Sequence, residues 1–237
     1  MNRSLAFSLC AAAAAVGAHD ASAHVTVASG PAIANVTQVV TFQIAHGCPA
    51  AIIGDPNLDT YSLQIEIPAG ITSVRALPSA FGKVTVQKDG SGNVTSVTFT
   101  KADADVLAAD DDFYTVQLRL KPPNNPFSQV YFRAHQTCKT ATGTTVVDWV
   151  ALPGDEGEPA PVLNVVGARL PGWNQYTIGE NTHIPDLSLF FSDALIVWKG
   201  SAAYSINPAT MDQINHTEGV TALTGGVHPD DVIWVKY

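Results

Sequence analysis

Apolar and polar residues alternate in short runs along most of the chain, at the period of two that marks a half-buried strand. Val36 to Ile44 reads VTQVVTFQI, Tyr61 to Ile67 reads YSLQIEI, and Tyr114 to Leu120 reads YTVQLRL. Each run stops at a breaker: Pro68-Ala69-Gly70 after the second, Pro122-Pro123 after the third. Lys83 to Lys88 and Asn93 to Lys101 flank Asp89-Gly90-Ser91-Gly92, which reads as a hairpin turn. His24 to Val27, Val130 to Ala134, Thr144 to Trp149 and Pro161 to Val166 complete the strand candidates of this part. Helical periodicity is confined to one short stretch, Ala102 to Asp110. Many short strands at regular spacing predict an all-β antiparallel β-sandwich, immunoglobulin- or cupredoxin-like.

The pattern changes twice. Residues 1–23 carry Arg3, an apolar run from Leu5 to Val16 and the small residues Ala21-Ser22-Ala23. This is the order of a secretory signal with its cleavage site, and the apolar run is too short for a stable membrane span. Cleavage after Ala23 predicts a periplasmic or secreted chain that begins at His24, with Cys10 removed. At the other end, Leu152 to Pro161 (LPGDEGEPAP) cannot pack as a core strand. Beyond Val166 the character differs: residues 167–237 hold Trp173, Trp198 and Trp234 and the apolar runs Leu187 to Trp198 and Val232 to Tyr237. The expected organisation is a signal at 1–23, a β-sandwich at 24–166 and a small β-rich domain at 167–237. Buried core is the ordinary place for its Trp residues, and a sugar-stacking surface is the alternative.

Composition narrows the function. Hydrophobic residues make up 46% and charged residues 14%, which excludes a disordered chain. A net charge of −9 with only 12 Lys and Arg argues against nucleic acid as a partner. No stretch after the signal is long and apolar enough for a membrane span. With Cys10 removed, Cys48 and Cys138 remain, an even count that in an exported chain reads as a disulfide. The competing reading is a pair of thiolate metal ligands.

The sharpest chemistry lies at the processed N-terminus. The free amine of His24 and its imidazole Nδ1 can close a six-membered chelate on one ion. Two such nitrogens suit Cu(II), which favours tetragonal N,O sites. His46, before Gly47-Cys48, and His135, three residues before Cys138, fall in one neighbourhood if the cysteines are bridged. Otherwise His46 caps a strand end and His135 occupies an ordinary strand position. His183, His216 and His228 read as solvated loop residues.

An ordered set of segments resembles the YcnI-like copper-binding domains over residues 24–166. They are Ala23-His24-Val25-Thr26-Val27, His46-Gly47-Cys48, Ile65 to Ile71, Asp111-Asp112-Phe113-Tyr114, Gln136-Thr137-Cys138, Val147-Asp148-Trp149 and Ala160-Pro161-Val162-Leu163. The resemblance implies an exported β-sandwich that binds Cu(II) through a single-histidine brace. It makes His24 the brace and Trp149 the Trp beside the metal. The carboxylate that many members contribute does not carry over, which leaves His46, Asp148 or water as the further ligand. It also implies copper buffering or delivery without turnover, to a membrane copper importer or a copper chaperone.

Two other readings compete. A copper-dependent polysaccharide monooxygenase also begins with a chelating His on a β-sandwich, with His46 or His135 as its second His. A structural or carbohydrate-binding β protein needs no metal. Residues 167–237 weakly resemble modules of secreted bacterial proteins that carry "GWN" and a closing "WIK"-type strand. That likeness names no ligand.

Overall fold

The computed structural model describes residues 24–49, 57–139, 143–179, 182 and 184–237. The expected signal, its cleavage site, Cys10 and His183 lie outside the described residues. In chain order the first part forms β1 (Val25–Val27), β2 (Ala32–Ile33), β3 (Gln38–Ile44), β4 (Thr60–Glu66), β5 (Thr72–Ala76), β6 (Lys83–Lys88) and β7 (Val94–Thr100). It continues through β8 (Tyr114–Lys121), β9 (Ser128–Tyr131), β10 (Ala134–Lys139), β11 (Thr144–Ala151), β12 (Glu158–Pro159) and β13 (Val162–Val166). The second part has β14 (Trp173–Thr177), α1 (Ser188–Phe191), β15 (Ile196–Lys199), β16 (Ala202–Tyr204), α2 (Pro208–His216), β17 (Thr221–Ala222) and β18 (Val232–Lys236).

The first part is the expected β-sandwich. A four-stranded sheet, β1-β3-β8-β5, faces a six-stranded sheet, β12-β11-β10-β4-β7-β6. Alternation sends Val40, Phe42, Ile44, Val116, Leu118 and Leu120 inward from one sheet. Leu63, Ile65, Val97, Phe99, Ala134 and Trp149 meet them from the other. Phe42 and Phe132, both fully buried, pack edge to face at 5.2 Å. Burying a large apolar side chain contributes about 1.5–3 kcal/mol, so the inward-facing rows fix the register of both sheets.

Three local expectations change. Val130 to Ala134 is not one strand: β9 ends at Tyr131 in a small sheet with β13 and β2, and β10 begins at Ala134 in the six-stranded sheet. The chain changes sheets at Phe132, whose buried ring and N–H to the Pro161 carbonyl (2.8 Å) hold the corner. Ala102 to Asp110 contains only a single turn of 3-10 helix, Asp103–Asp105. The fully buried carboxylate of Asp59 takes over this segment by accepting from the Leu107 N–H (2.8 Å). The same carboxylate accepts from Lys101 Nζ (2.6 Å) and Tyr114 OH (2.9 Å), so the buried charge is fully partnered.

Helix α2 is a third departure. Its start is written in the sequence as a cap: the Asn207 side chain accepts from the Ala209 N–H, and Pro208 occupies the first turn. Only Ile214 is buried along it, so no apolar stripe announces the helix.

Residues 167–237 build a five-stranded sheet, β14-β18-β15-β16-β17, over a second core with Phe190, Phe191, Val197, Ile233 and Val235. Phe127 and Val166 of the first part belong to this second core. Phe127 sits at φ 62°, a left-handed conformation that is uncommon for a bulky residue, with its ring edge-on to Tyr176 at 5.2 Å. Its N–H donates to Val165 O at 2.6 Å within the first part, while its ring and Val166 lie in the second core, so the two parts share side chains and not merely a linker. Among the described residues no helix is long and apolar enough to cross a membrane.

Candidate metal centre at the first residue of the sandwich

β1 is an edge strand, three residues long, paired antiparallel with β3 so that Val25 faces Ile44. His24 therefore stands at the end of the sandwich, level with the turn that carries His46. Its ring is edge-on to the indole of Trp149, centroids 5.1 Å apart and planes at 79°. Its Nε2 lies 3.4 Å from the Glu158 carboxylate.

Trp149 is 4% exposed and points inward from β11. Its indole N–H donates to Gln136 Oε1 at 2.9 Å. Gln136, fully buried on β10, uses its amide nitrogen to reach the His46 carbonyl and Thr60 Oγ1, both at 2.8 Å. One side-chain amide thus fixes the tryptophan, the His46 turn and β4. The polar group is buried but satisfied, which makes the arrangement stiff.

A disulfide bridge between Cys48 and Cys138, whose Cα atoms lie 5.8 Å apart, locks the same turn to β10. The pairing favoured from the cysteine count is the one the structure contains, and it removes the alternative of two thiolate ligands. Cys48 also exchanges two backbone hydrogen bonds with Leu58. Gly47, just before Cys48, has no room for a side chain, because a Cβ there would lie 1.7 Å from the Leu58 carbonyl oxygen.

The structure separates the other expected ligands. The His46 imidazole Nδ1 faces the carbonyl of its own neighbour Gly47. Asp148 precedes Trp149 on β11 and therefore points to the opposite, outer face. There it meets His135, its directly opposed residue on β10, at 2.6 Å through Nδ1. His135 Nε2 reaches Glu66 at 3.1 Å. Burial disfavours the His135 charge, but the carboxylates of Asp148 and Glu66 outweigh it, and the pKa is raised above 6.5. His135 is thereby committed to an outer-face cluster. His216 closes α2, with Nδ1 2.8 Å from the Asp212 carbonyl, and His228 stands near Asp231. Among the described residues no three His, Cys, Asp or Glu side chains form a group able to hold a metal.

Two residues of the site have no role in the sequence reading. Gln136 carries a weak signal: a polar residue between Ala134 and Cys138 at an inward position of an alternating strand. Glu158 sits in the acidic segment read as a boundary. That segment instead turns back, and β12 pairs parallel to β11 with Glu158 opposite Trp149. No local pattern announces such a contact.

A family model described as "Domain of unknown function (DUF1775)" matches residues 24–165. The chain belongs to that family. The match begins at His24 and ends one residue before Val166, the first-part residue buried in the second core. A comparison with curated proteins returns no match. Among solved structures, this DUF1775 chain is similar to an uncharacterized protein from Nocardia farcinica, whose crystal structure is described as revealing an immunoglobulin-like fold. The two are 25% identical, with a TM-score of 0.48, over 61% of this chain and 99% of the other.

Proposed function

We propose that the protein is an exported Cu(II)-binding protein that buffers or delivers copper, holding the ion with the amine and imidazole Nδ1 of a processed His24. The observation that carries this reading is the placement of His24, between the Trp149 ring and the Glu158 carboxylate. A carboxylate at Nε2 is the partner that orients a metal-bound imidazole and raises the basicity of its other nitrogen. Trp149 spends its N–H on Gln136, so it presents its ring to His24 and acts as a wall.

The donor set fits a single Cu(II). Amine and imidazole of one residue span adjacent positions of a tetragonal site and leave the remainder to water or to a partner's ligands. An α-amine ordinarily titrates at about 7.7–8.0, so metal binding at neutral pH displaces a proton. An open coordination sphere suits transfer to a membrane importer or a chaperone. Titration of the processed protein with Cu(II), followed by electron paramagnetic resonance, tests the reading. One equivalent with two nitrogen donors is expected, and His24→Ala should abolish it. Unchanged binding in His24→Ala would refute the assignment.

A second reading concerns residues 167–237. Trp173 and Trp234 are not core residues: they are 50% and 46% exposed. Trp198 is directly opposed to Trp234 on the same face of the sheet, with Gln175 on the other side of Trp234. Indoles beside an amide suit stacking on sugar rings. Retardation of the protein in gels containing soluble glycans, lost in Trp234→Ala, would support this role for the second part.

A further inference from the structure

The sandwich is open along the side where β5 and β6, the outermost strands of its two sheets, lie next to each other. A groove of about 950 Å³ runs between them. Its floor is apolar, formed by Val74, Val84 and Val94, which pack against the main core. Its rim is cationic: Arg75, Arg119 and Lys88 line it, and no Asp or Glu does.

That concentration runs against the chain's composition. Three of its 12 Lys and Arg meet in one groove of a protein with 21 acidic residues. Arg75 and Arg119 are directly opposed across the β5–β8 ladder. Like charges in that relation destabilise a sheet. None of the ion pairs among the described residues involves either arginine or Lys88. A carboxylate-bearing occupant would remove the repulsion and satisfy both guanidinium forks.

We propose that this groove binds an extended, acidic segment of a partner polypeptide. Its carboxylates engage Arg75, Arg119 and Lys88, and its alternate apolar side chains rest on the valine floor. An extended chain sends successive side chains to opposite faces, which matches a groove with apolar floor and cationic rim. Recognition is by side chains and not by strand addition. The β5 ladder is broken between Thr72 and Arg75, where Ser73 takes φ 55°, and β6 carries Lys at both ends. Bulges and edge lysines are devices that block a further strand. Because the whole protein is negative, attraction is local to the groove and sensitive to salt.

The probe is a fluorescein-labelled peptide of alternating Val and Asp, followed by fluorescence anisotropy with the full-length processed protein. Binding is expected at low salt and weaker at high salt. Arg75→Glu and Arg119→Glu should each weaken it by roughly tenfold or more, and Arg75→Gln by less. Both side chains are exposed, and unchanged near-ultraviolet circular dichroism in the variants shows that the fold is retained. Failure of the acidic peptide to bind, equal binding by the reversed-charge variants, or equal binding of a Val/Lys peptide would each overturn the proposal. Binding to anionic vesicles without binding to the peptide would overturn it in favour of a membrane surface.

Discussion

The imidazole of His24 stands edge-on against the indole of Trp149, 5.1 Å between ring centres, although 125 positions separate them in the chain. The contact exists because β1 and β11 lie in opposite sheets at the same end of the sandwich. Gln136 then fixes the indole from behind, so the wall that His24 meets is held by hydrogen bonds as well as by packing.

Gln136 is therefore expected to matter more to stability than its place behind the indole suggests. Gln136→Ala strands the Trp149 N–H, the His46 carbonyl and Thr60 Oγ1 without their partner. Each unsatisfied buried group costs about 1–3 kcal/mol. Urea unfolding should show a loss of at least about 2 kcal/mol, and Trp fluorescence should shift to the red. A stability within about 0.5 kcal/mol of the parent would show that the buried amide is dispensable.

The disulfide closes a loop across a sequence separation of 90. In the chain-entropy account such a loop contributes about 4.6 kcal/mol, acting on the unfolded chain. The Cys48→Ser, Cys138→Ser pair should lose about 2–5 kcal/mol in equilibrium unfolding. It should also loosen the His46 turn, read as faster amide exchange at Gly47. Reduction without any change in midpoint would contradict this.

The His135 cluster makes stability depend on pH with a defined sign. The folded pKa is raised above 6.5 by Asp148 and Glu66. Its contribution is therefore complete below pH 6.5, the unfolded value, and is lost as pH rises through the folded pKa. The carboxylates are well exposed, so screening keeps the effect within about 0.5–1 kcal/mol. His135→Gln should narrow the stability difference between acidic and alkaline buffer. Proton resonance titration of His135 should give a midpoint above the free value; a midpoint below it would reverse the sign.

How much of this is legible in the sequence depends on what each element buries. β3, β4, β7 and β8 alternate because one face of each lies in the core, and the alternation identifies them. β5 (TSVRA) is an exposed edge strand with a bulge, so neither apolar pattern nor turn residues single it out. The acidic segment at Leu152 to Pro161 reads as a boundary because its composition excludes core packing. Its parallel pairing beside Trp149 depends on β11 and is invisible locally. Size alone assigns the Trp residues after Val166 to a core, whereas Trp173 and Trp234 alternate outward from β14 and β18. The proposal of His24 as a chelating residue follows from the expected cleavage site, but its placement beside Trp149 is implied by the family resemblance and not by spacing.

The proposed copper site depends on the amine of His24, so the decisive experiment blocks that amine. Cu(II) titration should be run on protein beginning at His24 and on protein carrying one added Met before it. The added residue turns the amine into an amide and leaves the His24 imidazole, Trp149 and Glu158 in place. One tightly bound Cu(II) is expected in the first protein, and a loss of affinity of at least about a hundredfold, about 2.7 kcal/mol, in the second. Equal affinity in the two would contradict the proposed site.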